Sequence, residues 1–114
     1  MMRTILQAFK EIYIPNEKGG VFTFPEDFPA FKGHFPQEAL LPAVVQIELG
    51  LFVIAQHLNK EIKLKEIKKA KFIAPIFPKD TVTVIFNRIE QGWDIKIMKE
   101  NTLISAFQLK GEIL

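Results

Sequence analysis

"PAVVQIELGLFVIAQHL", residues 42–58, decides the fold. From Pro42 to Ala55 only Gln46 and Glu48 are clearly polar, so the segment is apolar on nearly every side of a helical period. Proline suits the first turn of a helix, where it leaves no N–H unpaired and its φ is already helical. The pattern predicts a helix from Pro42 to about Leu58, buried on all sides, with something wrapped around it. The downstream sequence supplies the wrapping. "DTVTVIFNR" (80–88), "GWDIKIM" (92–98) and "TLISAFQLK" (102–110) alternate at Val82, Val84, Phe86; at Trp93, Ile95, Ile97; and at Leu103, Ser105, Phe107, Leu109. Period-two alternation with short turns between the runs predicts three antiparallel strands.

Working upstream, "TILQAFKEIYI" (4–14) alternates loosely at Leu6, Ala8, Ile12 and Ile14 and is expected to be a strand. "NEKGG" (16–20) then forms a turn and "VFTF" (21–24) a second strand. Residues 25–42 hold four prolines and Gly33, which predicts a long loop, and long loops in small domains often carry function. "KLKEIKKAKFIAP" (63–75) is ambiguous until Ala70 and Phe72 lead into a strand. A hairpin, one buried helix and a run of strands imply an α+β layout: a curved antiparallel sheet around one long central helix, as a single domain over 1–114.

The totals bound the function. At 114 residues there is room for one core, which buries about two thirds of the unfolded surface. Hydrophobic residues make up 48% of the chain, with eleven Phe, more than such a core needs, which points to a partner subunit or an apolar ligand covering the excess. The absence of cysteine excludes disulfides and thiolate metal sites and fits a reducing cytoplasm. His34 and His57 alone make a poor metal cluster, so neither metal nor organic cofactor is expected. A net charge of +2 does not argue for nucleic acid. Gln7, Lys10 and Glu11 interrupt the N-terminal apolar stretch, so no signal peptide is expected, and no run of eighteen apolar residues offers a membrane span.

Chemistry concentrates between His34 and Glu48. A carboxylate inside an apolar helix either finds a basic partner on the sheet or takes up a proton, and a protonated carboxyl can act as an acid. An isolated loop histidine is usually unremarkable, but Gly33, Pro36 and Pro42 stiffen and bend the chain around His34, which fixes the imidazole relative to the helix start. Pro42 lacks an N–H, so Ala43 and Val44 provide the first free backbone donors, where a carbonyl oxygen gaining charge can bind. Base, acid and oxyanion donors are the equipment for removing a proton beside a carbonyl and expelling a hydroxyl from the next carbon.

"GHFPQEALLPAVVQIE" (33–48) resembles the signature of the beta-hydroxyacyl-acyl-carrier-protein dehydratases, with a His-Phe-Pro turn, a helix-opening proline and a helix carboxylate fourteen residues after the histidine. "KKAKFIAPIFPKDTVTV" (68–84) resembles the family's second landmark, a Lys-Phe strand followed by Pro-x-x-Pro-x-Asp. The resemblance implies a hotdog fold and a homodimer, or a higher homo-oligomer, with active sites between subunits. His34 of one subunit then removes the C2 proton and Glu48 of the other protonates the departing C3 hydroxyl. The implied substrate contacts are Phe35, Pro42, Ala43, Val44 and Phe52, and the implied partner is acyl carrier protein bearing the acyl chain. Two positions depart from the pattern: Ala43 replaces a glycine and Ala39 a proline. The Ala43 methyl crowds the thioester while its N–H is kept.

Two alternatives belong to the same reading. One is a hotdog thioesterase in which the helix carboxylate activates water. The other is a non-catalytic acyl-binding subunit of a heteromeric dehydratase. The six lysines between residues 60 and 71 suit either docking of an acidic carrier protein or, more simply, a solvated strand edge. His57 suits the negative end of the helix dipole.

Overall fold

Apolar residues at the helical period and at the strand period sort the described residues into two α-helices and six strands. The computed structural model describes residues 2–31 and 40–114, with side chains from residue 5 onward. In chain order these are α1 (Met2–Ile12), β1 (Tyr13–Asn16), β2 (Gly19–Thr23), a 3-10 turn (Pro29–Phe31), α2 (Ala43–Leu58), β3 (Ile62–Phe72), β4 (Thr81–Ile89), β5 (Gly92–Lys99) and β6 (Thr102–Ile113).

α1 corrects the expected N-terminal strand. Ile5, Ala8, Phe9 and Ile12 recur at i, i+3, i+4 and i+7, and this helical stripe is what packs inward: Phe9 is fully buried while Leu6, counted in the alternating pattern, is exposed. The strand begins only at Tyr13, pairing Ile14 with Val21 in the β1–β2 hairpin. The hairpin turn closes on Asn16, whose Oδ1 accepts the N–H groups of Lys18 at 3.0 Å and Gly19 at 2.9 Å.

The six strands form one antiparallel sheet in the order β1-β2-β4-β5-β6-β3. Val82 and Val84 of β4 and Trp93, Ile95 and Ile97 of β5 turn inward as the alternation requires. In β6 the alternation breaks at a bulge between the Ile97–Ser105 and Met98–Leu103 pairs, so Ile104 joins Ser105 in the interior and Leu103 falls out of phase. The Ile104 carbonyl then accepts the N–H groups of both Ile73 and Ala74, which ties the chain after β3 to the bulge.

α2 lies on the inner face of the sheet. Pro42 is its N-cap, with φ −62° and ψ 151°, one position earlier than the first helical turn expected for it. Asn59, in the left-handed conformation at φ 53° and ψ 43°, ends the helix, and its N–H bonds the Ala55 carbonyl. Val45, Leu49, Phe52 and Val53 are buried against the sheet. The expected burial on every side does not occur within one chain, because a single six-stranded sheet with α1 beside it covers only part of the helix circumference. Ala43 and Val44 are exposed, Val44 at 64%, and Ile47, Glu48 and Leu51 are half-buried. Among the described residues no helix is long and apolar enough to cross a membrane.

Candidate active site

Glu48 sits in the second turn of α2, on the helix face that looks away from the sheet. Val44, Glu48, Leu51 and Ala55 follow one another at i, i+4, i+7 and i+11, so they share this stripe. The carboxylate opens into a groove of about 600 Å³ between α1, α2 and the start of β3, walled by Leu6, Lys10, Leu51, Phe52 and Ile62. Glu48 is therefore half-buried at a groove of mixed lining, where Gln7, Lys10, Gln56 and Glu61 join the apolar side chains, and not sealed in the core as its sequence neighbours suggest. The sheet-borne salt bridge considered for it is absent: among the described residues the ion pairs are Lys79–Glu26 at 3.7 Å and Lys99–Asp80 at 2.9 Å.

Phe52 forms the floor of the same groove. Its ring is buried at 7% exposure in an aromatic cluster, 5.6 Å from Phe9, 5.2 Å from Tyr13 and 6.1 Å from Phe22, centroid to centroid. A side chain packed this way presents a fixed apolar edge to whatever enters. The structure therefore brings Glu48 and Phe52 together.

The helix start is a separate feature. Val45 and Gln46 already donate their N–H groups to the Pro42 carbonyl, at 3.0 and 3.1 Å. The N–H groups of Ala43 and Val44 make no hydrogen bond among the described residues. Ala43 borders a smaller notch of about 260 Å³ with Leu40, Leu41, Gln46, Phe72 and Ile73. Five residues of helix separate Ala43 from Glu48, about 7.5 Å along the axis and roughly 140° around it. Within one chain the helix start and the carboxylate thus face different hollows, and Pro42 and Val44 line neither. His34 and Phe35 lie outside the described residues.

Three side chains of this region escaped the sequence reading. Leu6 and Lys10 wall the Glu48 groove, and the helical spacing of Ile5, Ala8, Phe9 and Ile12 was the signal that would have placed them there. Gln46 reads in the sequence as no more than a polar interruption, yet it is buried and hydrogen-bonded at both Oε1 and Nε2. His57 ties the end of α2 to the sheet: its Nε2 lies 2.9 Å from the Gly19 carbonyl and its ring meets Phe86 edge-on at 4.9 Å.

The model of the ApeI-like family, described as ApeI dehydratase, matches residues 15–106. The 3-hydroxyacyl-[acyl-carrier-protein] dehydratase FabZ of Rickettsia canadensis is 34% identical over 94 residues, which cover 69% of this chain and 66% of that protein. The FabZ of Fusobacterium nucleatum is 37% identical over 83 residues, covering 68% and 57%. The chain thus spans less than two thirds of the length of these relatives, 66% of one and 57% of the other. Among solved structures, the dehydratase heterocomplex ApeI:P from Xenorhabdus doucetiae superposes with a TM-score of 0.75 at 23% identity, covering 88% of this chain and 96% of that one. That likeness is one of fold, and it makes the antiparallel sheet with its packed helix an α+β hotdog fold. With the family model matching most of its length, the chain belongs to the ApeI-like dehydratase family.

Proposed function

We propose that this chain dehydrates 3-hydroxyacyl thioesters, carried by acyl carrier protein, to trans-2-enoyl thioesters. The observation that carries the reading is Glu48, a carboxyl free of any ion pair among the described residues, at the wall of a groove lined by Leu6, Leu51 and Phe52. The His-Phe-Pro sequence that begins fourteen residues before it supports the assignment of the second group. His34 acts as the base and takes the proton from C2. The electron pair moves toward the thioester carbonyl, whose oxygen gains charge and is stabilised by the Ala43 and Val44 N–H groups and the positive end of α2. As the C2–C3 double bond forms, the C3–O bond breaks, and Glu48 gives its proton to the departing hydroxyl, which leaves as water. The imidazolium proton then returns to the Glu48 carboxylate, so no net proton is consumed.

A second subunit fits this chemistry. The stripe Val44–Glu48–Leu51–Ala55 is apolar apart from the carboxylate and is left uncovered along much of its length by its own chain. A partner on this stripe, presenting its own His34, completes the base–acid pair and closes the groove around the acyl chain. Either a second copy of this chain or a related chain meets that requirement, and the heterocomplex named for the similar Xenorhabdus doucetiae structure is the reason to test both.

The deciding experiment is conversion of a series of 3-hydroxyacyl carrier-protein thioesters, followed by enoyl absorbance and mass spectrometry. Purified protein forms the enoyl product, and His34→Ala and Glu48→Ala each abolish it. Release of free thiol without enoyl product replaces this reading with a thioesterase. Turnover only after addition of a related chain makes this protein one subunit of a heteromeric dehydratase.

A further inference from the structure

Gln46 and Ser105 are the two buried polar side chains among the described residues, at 3% and 0% exposure. They satisfy one another. The Ser105 hydroxyl on β6 donates to Gln46 Oε1 at 2.8 Å, and Gln46 Nε2 donates to the Leu41 carbonyl at 3.3 Å. The Leu41 N–H in turn donates to the Ile76 carbonyl at 2.9 Å. The residue just before the α2 N-cap is therefore gripped at both of its backbone polar groups, from β6 by way of Gln46 and from the chain leading into β4 directly.

Packing alone does not call for this arrangement. A leucine at 46 and an alanine at 105 would fill much the same space with no polar group to desolvate, and swaps of that kind are often neutral for stability. What the polar pair adds is direction: hydrogen bonds fix the orientation of a peptide group, whereas apolar contacts do not. The peptide so fixed, Leu41–Pro42, comes directly before the residue whose ψ of 151° turns the chain into the helix with its free Ala43 and Val44 N–H groups. It is also the point at which the segment carrying His34 joins the helix carrying Glu48.

We propose that Gln46 is a positioning residue for the dehydration, holding the Leu41–Pro42 junction against β6 through Ser105 so that the helix donors keep one geometry. This rests on the dehydratase reading above. Gln46 has no role in proton transfer. It acts by orienting backbone that touches the substrate, and displacements of that kind lower turnover more than they weaken binding.

The test uses Gln46→Leu, Ser105→Ala and the double variant in the full chain. Three quantities are measured: kcat and KM on a 3-hydroxyacyl carrier-protein substrate, the denaturation midpoint, and amide hydrogen exchange at Leu41, whose N–H is bonded to the Ile76 carbonyl. Gln46→Leu lowers kcat roughly 10- to 100-fold with KM changed less than about twofold, and it speeds exchange at the Leu41 amide. The double variant, with no hydroxyl left unpaired, regains the stability lost by Gln46→Leu while kcat stays low. Recovery of kcat together with stability in the double variant overturns the proposal, because Gln46 is then only a structural partner of Ser105. Unchanged amide exchange in both Gln46 variants also overturns it. If the wild type turns over no thioester, the dehydratase reading fails separately, and the exchange measurement still decides whether Gln46 holds the helix start.

Discussion

Gly50 of α2 lies so close to Phe107 of β6 that a Cβ placed on it would stand 3.1 Å from Phe107 Cε2 and 3.3 Å from Ile95 Cγ2. This contact sets how near the helix rests on the sheet. Phe107 is itself fully buried and stacked on Phe72, with centroids 6.1 Å apart, so its ring has little room to retreat. Gly50→Val is expected to destabilise the fold by about 1–3 kcal/mol through overpacking, read as a lower urea midpoint with an unchanged m-value.

Glu48→Gln keeps the shape of the side chain and removes the exchangeable acid. Because Glu48 is half-buried and makes no ion pair among the described residues, stability is expected to change by less than about 0.5 kcal/mol. Enoyl formation is expected to fall by roughly 10²- to 10⁴-fold. Thermal unfolding and the dehydration assay, run on the same preparation, separate the two effects.

Tyr13 is the only tyrosine of the chain, which makes its ionisation directly observable as phenolate absorbance. Burial disfavours the phenolate and raises the group above its ordinary value of 10.0. In the unfolded chain the phenol ionises near the ordinary value, so below that pH the folded and unfolded states hold this proton equally. As pH rises past it, the unfolded state loses the proton first, and stability falls until the folded phenol also ionises. The titration midpoint in the native protein is thus expected above 10.0. Tyr13→Phe should remove this part of the alkaline destabilisation, seen as a smaller loss of denaturation midpoint between neutral and strongly alkaline pH.

Phe9 anchors α1. It is fully buried, with its ring 5.8 Å from Phe28, 5.6 Å from Phe52 and 6.2 Å from Phe22. Phe9→Ala leaves a large cavity in this cluster and is expected to cost about 3–5 kcal/mol, measured by chemical denaturation. Since α1 also brings Leu6 and Lys10 to the Glu48 groove, the same variant is expected to raise KM for acyl substrates.

α2 and strands β4 to β6 were legible because each carries a single period over many residues. An apolar helix of 16 residues bounded by Pro42 and Asn59 has few competing readings, and Trp93, Ile95 and Ile97 alternate without interruption. α1 was misread because Leu6, Ala8, Ile12 and Ile14 satisfy a loose alternation that spans a helix and the strand after it. Phe9, which that alternation skips, is the residue whose burial decides the matter. The alternation in β6 counts Leu103 with Ser105 and Phe107, because a one-residue bulge leaves no mark in composition. In the candidate site, the sequence identified Glu48 as the unusual carboxylate but overstated its burial, since hydrophobic neighbours along a helix do not reveal which of its faces the sheet covers. Gln46 and Ser105, 59 positions apart, could not be paired without the fold.

β3 is an outer strand of the sheet, and its pairing with β6 slips twice, between Leu64 and Glu66 and between Lys68 and Lys71, where Lys69 takes φ 53°. Such breaks twist the outer rim and leave only brief straight runs for another strand to match. With lysine side chains crowding those runs, open-ended stacking of copies along this rim is disfavoured.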